Sequence, residues 1–381
     1  MDKIDKITNK MKEVIDFRKP KGQRYKLYNI LTISILSLIS GADDFEGMAV
    51  FVTSKKEFLL EQGLIDGHNF PSHDLFRWIF MRMDVHAFAV LLGTWLEYSL
   101  EKISISPTDP PPLKRIHIDG KSLRATRTNE HSRTALQIVS AYVSNSSLCM
   151  GQLLIDGKSC EKTAIPQLID LLELKNSVTT IDAVGTMKHV ASKIIYRKGH
   201  YLLALKKNNR LFYKEVADFF RVFADTPLVS PPFATEEKAH GRTEKRSCQV
   251  ITDLQYFPDA ALWKDLHTLV RVESEQNRNG KVLRETRYYL SSLKAEGHIL
   301  LDLIRKHWTV ENNRHWSLDV SFYEDQSKVR NKNAANALSA LRRFCLALLK
   351  NAKISKNSIK GQRLQATWDN QFLLNLFSIL N

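Results

Sequence analysis

The feature that most constrains the fold of this chain is an abrupt change of hydrophobic pattern on either side of a proline-rich segment. Before it, apolar residues recur at helical spacing, as they do over 85–100. The segment 104–113, SISPTDPPPL, contains three consecutive prolines, which lack the amide hydrogen that a helix requires. After it, RIHIDGKSL alternates apolar and polar residues as a strand does. The pattern predicts an all-helical N-terminal domain over 1–103, a linker over 104–113 and a second domain over 114–381.

The second domain alternates strand and helix patterns in an order that predicts a mixed sheet. TALQIVSAYV and GQLLIDGKS follow the first strand, and VTTIDAV and HYLLALK come later, each after a helical stretch. The order β-β-β-α-β-α-β-α predicts an α/β fold, a ribonuclease-H-like mixed sheet with flanking helices, although other α/β folds are compatible with it. Three further strand patterns and an Asn-Gly turn predict a β-rich insertion at about 225–295, after which helices return.

The composition of the chain indicates its cellular compartment and the kind of partner that it binds. The 381 residues include 56 Lys and Arg against 41 Asp and Glu, and the resulting charge of +15 suggests a polyanionic partner. The four cysteines form no Cys-x-x-Cys pair, which indicates a reducing, cytoplasmic compartment. The most apolar run, LYNILTISILSLIS, is too short for a membrane span and is interrupted by polar residues. We therefore expect it to be a buried helix ending near Gly41, in a protein with no membrane partner.

Two aspartates occupy equivalent positions at the ends of predicted strands. Asp119 lies on the face of its strand opposite Ile116 and Ile118, and Asp182 ends the fourth strand. In a sheet of this order the first and fourth strands are neighbours, so the two carboxylates can approach closely, and like charges that close favour a bound divalent cation. Carboxylate ligands suit Mg²⁺ or Mn²⁺, and two such ions can support phosphoryl transfer. An Asp-Gly pair alone usually marks a turn, and Asp156 is interpreted in that way.

Several segments resemble the ISAs-type insertion-sequence transposases, also called H-repeat-associated proteins. In the second domain the similar segments are IHIDGKSLR, VTTIDAVGT, YLLALKKNN, AHGRTEKR, RYYLSSL and HWTVENNRHWSLDVSFYEDQSKVRNKNAANALSALRR. SGADDFEGM and FPSHDLFRWIF resemble the associated helical domain of that family. The resemblance covers nearly the whole chain and implies cutting and joining of DNA by a triad of two aspartates and a glutamate, the DDE triad.

The resemblance implies that Asp119, Asp182 and Glu311 are the catalytic and metal-binding acids. Glu311 follows a Trp-x-Val motif, and helical spacing places it on one stripe with Ile304, His307, Trp308, His315 and Leu318. A carboxylate on such an apolar stripe is costly to bury alone, and a metal would explain it. Three acids just downstream remain alternatives for the third position: Asp319, Glu324 and Asp325.

The motif also departs from that of wider relatives. His307 stands where their signature has Arg, Ile304 replaces Tyr, and Leu318 replaces Lys. Glu161 matches a Glu that precedes the fourth strand in the family. His307 and His315 are spaced two turns apart, roughly 12 Å, so they do not bind one zinc ion together, and packing or contact with DNA is the expected role.

We expect double-stranded DNA, both element ends and target, as the partner, with a homodimer on paired ends as one possibility. Basic residues near the acids are the candidate DNA contacts: Lys121, Arg124, Lys206, Lys207, Arg305, Arg314, Arg330 and Lys332. The N-terminal helical domain is the candidate for end recognition. The expected function is DNA transposition, by hydrolysis at the element ends and then strand transfer. A nuclease of the same fold that only hydrolyses and an inactive DNA-binding relic are alternatives.

Overall fold

The computed structural model describes residues 3–103, 113–127, 134–144, 146–155, 160–239, 242–278 and 281–380, without the side chains of 22, 103, 239, 242, 278 and 309–314. The predicted linker, apart from Leu113, therefore lies outside the described residues, as do Asp156 and the Asn-Gly turn at 279–280. Two compact units are formed: one contains residues 1–111, 120–160 and 312–381, and the other contains 112–119 and 161–311. They are called the helical unit and the sheet unit below.

The N-terminal part of the helical unit consists of six helices. They are α1 (Lys3–Met11), α2 (Leu27–Ile39), α3 (Phe45–Ser54), α4 (Lys56–Glu61), α5 (His73–Phe80) and α6 (Val85–Ile103). Helix α2 is the predicted buried helix: nearly all of its side chains are buried, and the left-handed backbone of Gly41, with φ of 97°, follows its end. Helix α5 begins directly after Ser72, whose side chain caps it by accepting a hydrogen bond from the amide of Leu75.

Nine strands form one mixed sheet in the order β3-β2-β1-β4-β5-β9-β8-β7-β6. They are β1 (Lys114–Leu123), β2 (Leu136–Val143), β3 (Cys149–Ile155), β4 (Ser177–Ile181), β5 (His200–Leu205), β6 (Phe233–Ala239), β7 (Arg242–Ile251), β8 (Thr268–Arg278) and β9 (Lys281–Ser291). Strands β1, β4 and β5 pair in parallel. Strand β2 pairs antiparallel with β3, and the successive neighbours β5, β9, β8, β7 and β6 also pair antiparallel. This arrangement confirms the predicted α/β fold with a ribonuclease-H-like mixed sheet.

The remaining helices alternate with the strands and then complete the chain. They are α7 (Glu161–Asp170), α8 (Lys188–Tyr196), α9 (Arg210–Val222), α10 (Gly297–Ser321), α11 (Lys332–Ala352), α12 (Ile359–Trp368) and α13 (Asn370–Asn375). In the sheet unit, apolar residues of the central strands, including Val178 and Leu202, pack with Leu300 and Ile304 of α10. Among the described residues no single helix is both long and apolar enough to cross a membrane. Helices α5 and α6 together have sufficient length and apolar composition, but they are bent by 94° where they join.

The insertion holds one strand more than its sequence pattern predicts. Strand β6 was missed because FATEEKA lacks the apolar alternation of a half-buried strand. The structure explains its polarity: β6 lies at the edge of the sheet, and most of its described residues are exposed. Charged residues are common on edge strands, since they oppose pairing with a second chain.

A buried ion cluster joins four elements inside the helical unit. The fully buried Glu324 carboxylate lies 2.6 Å from Arg343 of α11 and 3.1 Å from Lys121 of β1. Arg343 also donates to the hydroxyl of Tyr142 in β2, at 2.6 Å, and Lys121 also pairs with Asp319 of α10. Burial alone would raise the pKa of Glu324, but Arg343 and Lys121 outweigh it and hold that pKa well below its usual range. The cluster therefore depends on an ionised Glu324.

We expect Glu324→Ala to destabilise the helical unit strongly, because it leaves two buried cations without their shared carboxylate. Breaking a buried ion pair in this way costs about 3–5 kcal/mol. Urea unfolding followed by circular dichroism measures the loss. The control is Glu61→Ala at an exposed position of α4, where a change within about 0.5 kcal/mol is expected. Equal midpoints for the two variants would contradict a structural role for the cluster.

Candidate active site

The register of β1 and β4 places the two predicted acids next to each other. Ile118 of β1 is paired with Ile181 of β4, and Asp119 and Asp182 are the next residues on the two parallel strands. Neighbouring strands lie about 4.8 Å apart, and residues at equivalent positions of parallel strands project from the same face. Both aspartates are partly exposed. The register therefore places two partly exposed aspartates side by side where the paired segment of β1 and β4 ends.

Asp182 is held in its ionised form by its surroundings. Burial acts to raise its pKa, but a hydrogen bond from the Ala183 amide and the nearby Lys206 ammonium outweigh burial and lower the pKa below its usual range. Lys206 Nζ lies 3.0 Å from Asp182 Oδ1. Glu161, at the start of α7, responds in the opposite direction: burial and the negative charge of Asp182 raise its pKa. Glu161 thus lies within electrostatic reach of Asp182.

The third predicted acid, Glu311, lies in α10, but its side chain is outside the described part of the chain. On either side of it, Ile304, His307 and Leu318 of the predicted stripe are buried, and His315 is half-buried. Among the side chains that the structure describes, no group of three or more potential metal ligands is gathered. Asp119 and Asp182 still fit a divalent cation, because two adjacent carboxylates offer the hard oxygen donors that Mg²⁺ and Mn²⁺ prefer.

The three alternatives to Glu311 all take part in ion pairs in the helical unit. Asp319 and Glu324 pair with Lys121, and Asp325 lies 3.3 Å from Arg124. The same ion pairs affect a predicted DNA contact. Only 8% of the surface of Lys121 is exposed, and its ammonium is paired with Asp319 and Glu324, so little of it is available to a phosphate.

A buried polar cluster lies directly behind the two aspartates. Thr180 Oγ1 lies 2.5 Å from His117 Nδ1 and 2.8 Å from His307 Nδ1, and the two Nδ1 atoms are 3.3 Å apart. The sequence placed His117 on the same strand face as Asp119 but gave no reason to assign it a role. The alternation of β1 could have indicated a role for His117, because it places the imidazole on the same strand face as Asp119. No sequence pattern indicated a role for Thr180.

The other predicted DNA contacts have varied surroundings. Lys206 and Lys207 are exposed after β5, and Arg305 of α10 pairs with Glu237 of β6. Arg330 and Lys332 are exposed, and the side chain of Arg314 is not described. Arg330 lines a groove of about 890 Å³ within the helical unit, together with Lys328 and with Arg77 of α5. A basic residue of the N-terminal helices thus shares one groove with residues that follow α10.

Comparisons with known proteins show the family of the chain. A family model described as "Transposase DDE domain" matches residues 110–349, and one described as "DDE_Tnp_1-associated" matches residues 8–96. The chain belongs to the H-repeat-associated DDE transposases. It is 32% identical to "Putative transposase YncI" of Escherichia coli O157:H7, over 94% of this chain and 91% of the relative. It is 30% identical to "H repeat-associated putative transposase YhhI" of Escherichia coli strain K12, over 98% of both chains.

A solved structure of a transposase gives a weaker likeness. It is that of a piggyBac transposase synaptic complex with hairpin DNA, whose chain is 11% identical to this transposase. The match covers 97% of this chain and 80% of that chain, with a TM-score of 0.41. That score is too low to support an inference about function. The family assignment therefore rests on the family models and on the relatives that match along almost the full chain.

The buried His307 gives a testable dependence of stability on pH. Burial lowers its pKa to about 4, with the charge of Asp182 opposing and that of Arg287 reinforcing the shift. An unfolded histidine has a pKa of about 6.5, so the folded state binds this proton more weakly than the unfolded state does. The stability that the neutral imidazole contributes is complete above pH 6.5 and is lost as the pH falls towards 4.

We expect the stability advantage of the wild type over His307→Asn to shrink by about 3 kcal/mol between pH 6.5 and pH 4, as a shift of this size implies. Urea unfolding in metal-free buffer at a series of pH values measures it. Above pH 6.5 the two curves should run parallel. An imidazole of His307 that titrates near pH 6.5 in the folded protein, as followed by NMR, would refute the prediction.

Proposed function

We propose that this transposase cuts and joins DNA by phosphoryl transfer, with Asp119, Asp182 and Glu311 as the acids that bind the divalent metal. The observation that carries the proposal is the pairing of Ile118 with Ile181, which sets Asp119 beside Asp182 at one edge of the sheet. Two carboxylates so close repel each other unless a cation lies between them. Glu311 is proposed as the third acid because it lies on α10 one turn after His307, which packs against β4.

The acids would hold the ions and leave the chemistry to them. Two bound Mg²⁺ or Mn²⁺ ions would activate the attacking oxygen and stabilise the leaving oxygen of the phosphate. Lys206 would keep the Asp182 carboxylate ionised and oriented until a cation binds, since its ammonium already lies 3.0 Å from that carboxylate. Glu161 would add a further carboxyl beside Asp182. Burial and the negative charge of Asp182 both raise the pKa of that carboxyl.

Two phosphoryl transfers in succession would account for transposition. In the first, water attacks the phosphodiester at the element end, the P–O3′ bond breaks, and a free 3′-hydroxyl remains. In the second, that 3′-hydroxyl attacks a phosphodiester of target DNA, a new P–O3′ bond joins the element to the target strand, and the original P–O3′ bond of the target breaks and leaves a 3′-hydroxyl. Both steps use the same in-line geometry, so one pair of metal sites serves both without a covalent enzyme intermediate.

DNA would bind mainly through its phosphates. Lys206 lies beside Asp182, the exposed Lys207 follows it in the chain, and the groove of the helical unit offers Arg77, Lys328 and Arg330. The groove also contains the acids Asp43, Asp44 and Glu46, so its charge is mixed. We therefore propose that it orients the duplex by individual arginine contacts, and that the net charge of +15 supplies the long-range attraction.

We expect Asp119→Asn, Asp182→Asn and Glu311→Gln each to reduce cleavage by at least about 10³-fold, because each removes a negative ligand from the metal site. The measurement is cleavage of a supercoiled plasmid that carries the gene with its flanking DNA. Duplex binding, followed by fluorescence anisotropy, should stay within about twofold, since none of the three acids is proposed to touch DNA directly.

The control for these variants is Asp156→Asn, which alters an Asp-Gly pair like that at Asp119. It should cleave like the wild type. An inactive Asp156→Asn together with an active Asp182→Asn would show that the second acid is misassigned. A strand-transfer assay on the same plasmid separates the two activities: cleavage without joined products would reduce the proposal to a hydrolytic nuclease.

Removal of the divalent metal tests whether the proposed cleavage depends on it. Cleavage should require Mg²⁺ or Mn²⁺ and stop in excess EDTA, whereas Ca²⁺ should support DNA binding without cleavage because its looser coordination does not align the attacking and leaving oxygens. The same plasmid assay with each ion in turn measures this. Cleavage that continues at the full rate in EDTA would exclude the proposed chemistry.

A further inference from the structure

Three polar side chains from three elements meet in the interior of the sheet unit. His117 of β1, Thr180 of β4 and His307 of α10 expose only 2%, 3% and 7% of their surfaces. The hydroxyl of Thr180 lies within hydrogen-bond distance of Nδ1 of both imidazoles, at 2.5 and 2.8 Å. The rings of the two histidines meet edge to face, with their centroids 5.2 Å apart. Apolar residues would fill this space at lower cost, because buried polar groups are tolerated only when hydrogen-bonded.

The cluster has a regular relation to the three proposed acids. His117 stands two residues before Asp119, and Thr180 stands two residues before Asp182. His307 stands four residues, one helical turn, before Glu311 on α10. Side chains on one face repeat every two residues along a strand and every three to four along a helix. Each member of the cluster therefore occupies the position directly behind one acid.

Hydrogen-bond geometry makes this arrangement directional. The Thr180 hydroxyl has one proton and two acceptor lone pairs, and it lies within reach of Nδ1 of both histidines and, at 3.4 Å, of the Ile116 carbonyl oxygen. It donates to one of these atoms and accepts from an Nδ1 that carries a proton, so the tautomers of the two imidazoles are set together. Apolar packing would hold β1, β4 and α10 together but would allow α10 to rotate or slide, whereas these bonds require near-linear alignment at fixed distances. The rotation of α10 also sets the direction in which its next turn projects.

We infer that His117, Thr180 and His307 form a positioning layer that sets the spacing of Asp119, Asp182 and Glu311 so that the three can share a divalent cation. The inference rests on the proposed function. The three residues act through the acids behind which they lie, and none is a metal ligand. A displacement of about 1 Å in a catalytic constellation can lower the rate by about 10²-fold, so a small rotation of α10 would be costly.

Two substitutions of Thr180 test the positioning layer. Thr180→Val keeps the shape of the side chain and removes the hydroxyl, whereas Thr180→Ser keeps the hydroxyl. The matched control is Thr179→Val, which removes a fully buried hydroxyl on the opposite face of β4. The measurements are binding of Mn²⁺ alone by isothermal calorimetry, plasmid cleavage, duplex binding and the thermal unfolding midpoint.

We expect Thr180→Val to weaken Mn²⁺ binding at least about tenfold and to slow cleavage about 10²-fold, with duplex binding within about twofold. Thr180→Ser should stay within about fivefold of the wild type in both Mn²⁺ binding and cleavage, and Thr179→Val should match the wild type. Wild-type Mn²⁺ binding and cleavage in Thr180→Val would overturn the inference. So would equal losses in Thr180→Val and Thr179→Val, because the effect would then be a general cost to the fold.

A second pair of variants covers the case in which Thr180→Val fails to fold. His307→Asn keeps a polar group near the position of Nδ1, and His307→Leu removes it. Mn²⁺ binding and cleavage should be retained better by His307→Asn, by at least about tenfold, and equal losses would overturn the inference. Failure of the proposed function looks different: Asp119→Asn and Asp182→Asn would then still cleave, whatever the positioning variants do.

Discussion

The parallel pairing of β1 with β4 is the interaction on which the rest of the structure depends. Five consecutive residue pairs, from Lys114 with Ser177 to Ile118 with Ile181, fix the register of the two strands. A slip by one residue would turn the side chains of one strand to the opposite face, separating Asp119 from Asp182 and His117 from Thr180. The paired segment is only five residues long, but residues 116–118 of β1 and every residue of β4 are buried. The register is therefore specified by burial, and the acidic edge follows from it.

Helix α10 makes polar contacts of two kinds, one in each unit. In the sheet unit His307 bonds to Thr180 beside the acids, and in the helical unit Asp319 pairs with Lys121, two residues beyond Asp119. Both contacts join α10 to the strands that bear the aspartates or to their continuation. Buried polar bonds contribute little net stability but require one geometry, which suits a site whose rate depends on distances.

Much of the fold could be predicted because its hydrophobic patterns are local. The alternation in β1, the buried β-branched run of β4 and the amphipathic helices each identify their own element, and the order of the elements implies the mixed sheet. Strand β6 was missed because an edge strand needs no apolar face. The residues Asp119 and Asp182 could be singled out because each ends or lies within a recognisable strand. The resemblance to the transposases supplied Glu311.

The sequence by itself determined the family, the order of strands and helices, and the two aspartates that follow the last residue pair of β1 and β4. Tertiary structure decided what surrounds them. Lys121 and Lys206 are similar basic residues in the sequence, yet one is buried against Glu324 and the other is exposed beside Asp182. His117, Thr180 and His307 are separated by up to 190 residues along the chain, and only folding brings them together. The physical reason is range: hydrophobic periodicity is set by neighbours in sequence, whereas the partner of a charge or a hydroxyl is set by whichever distant segment packs against it.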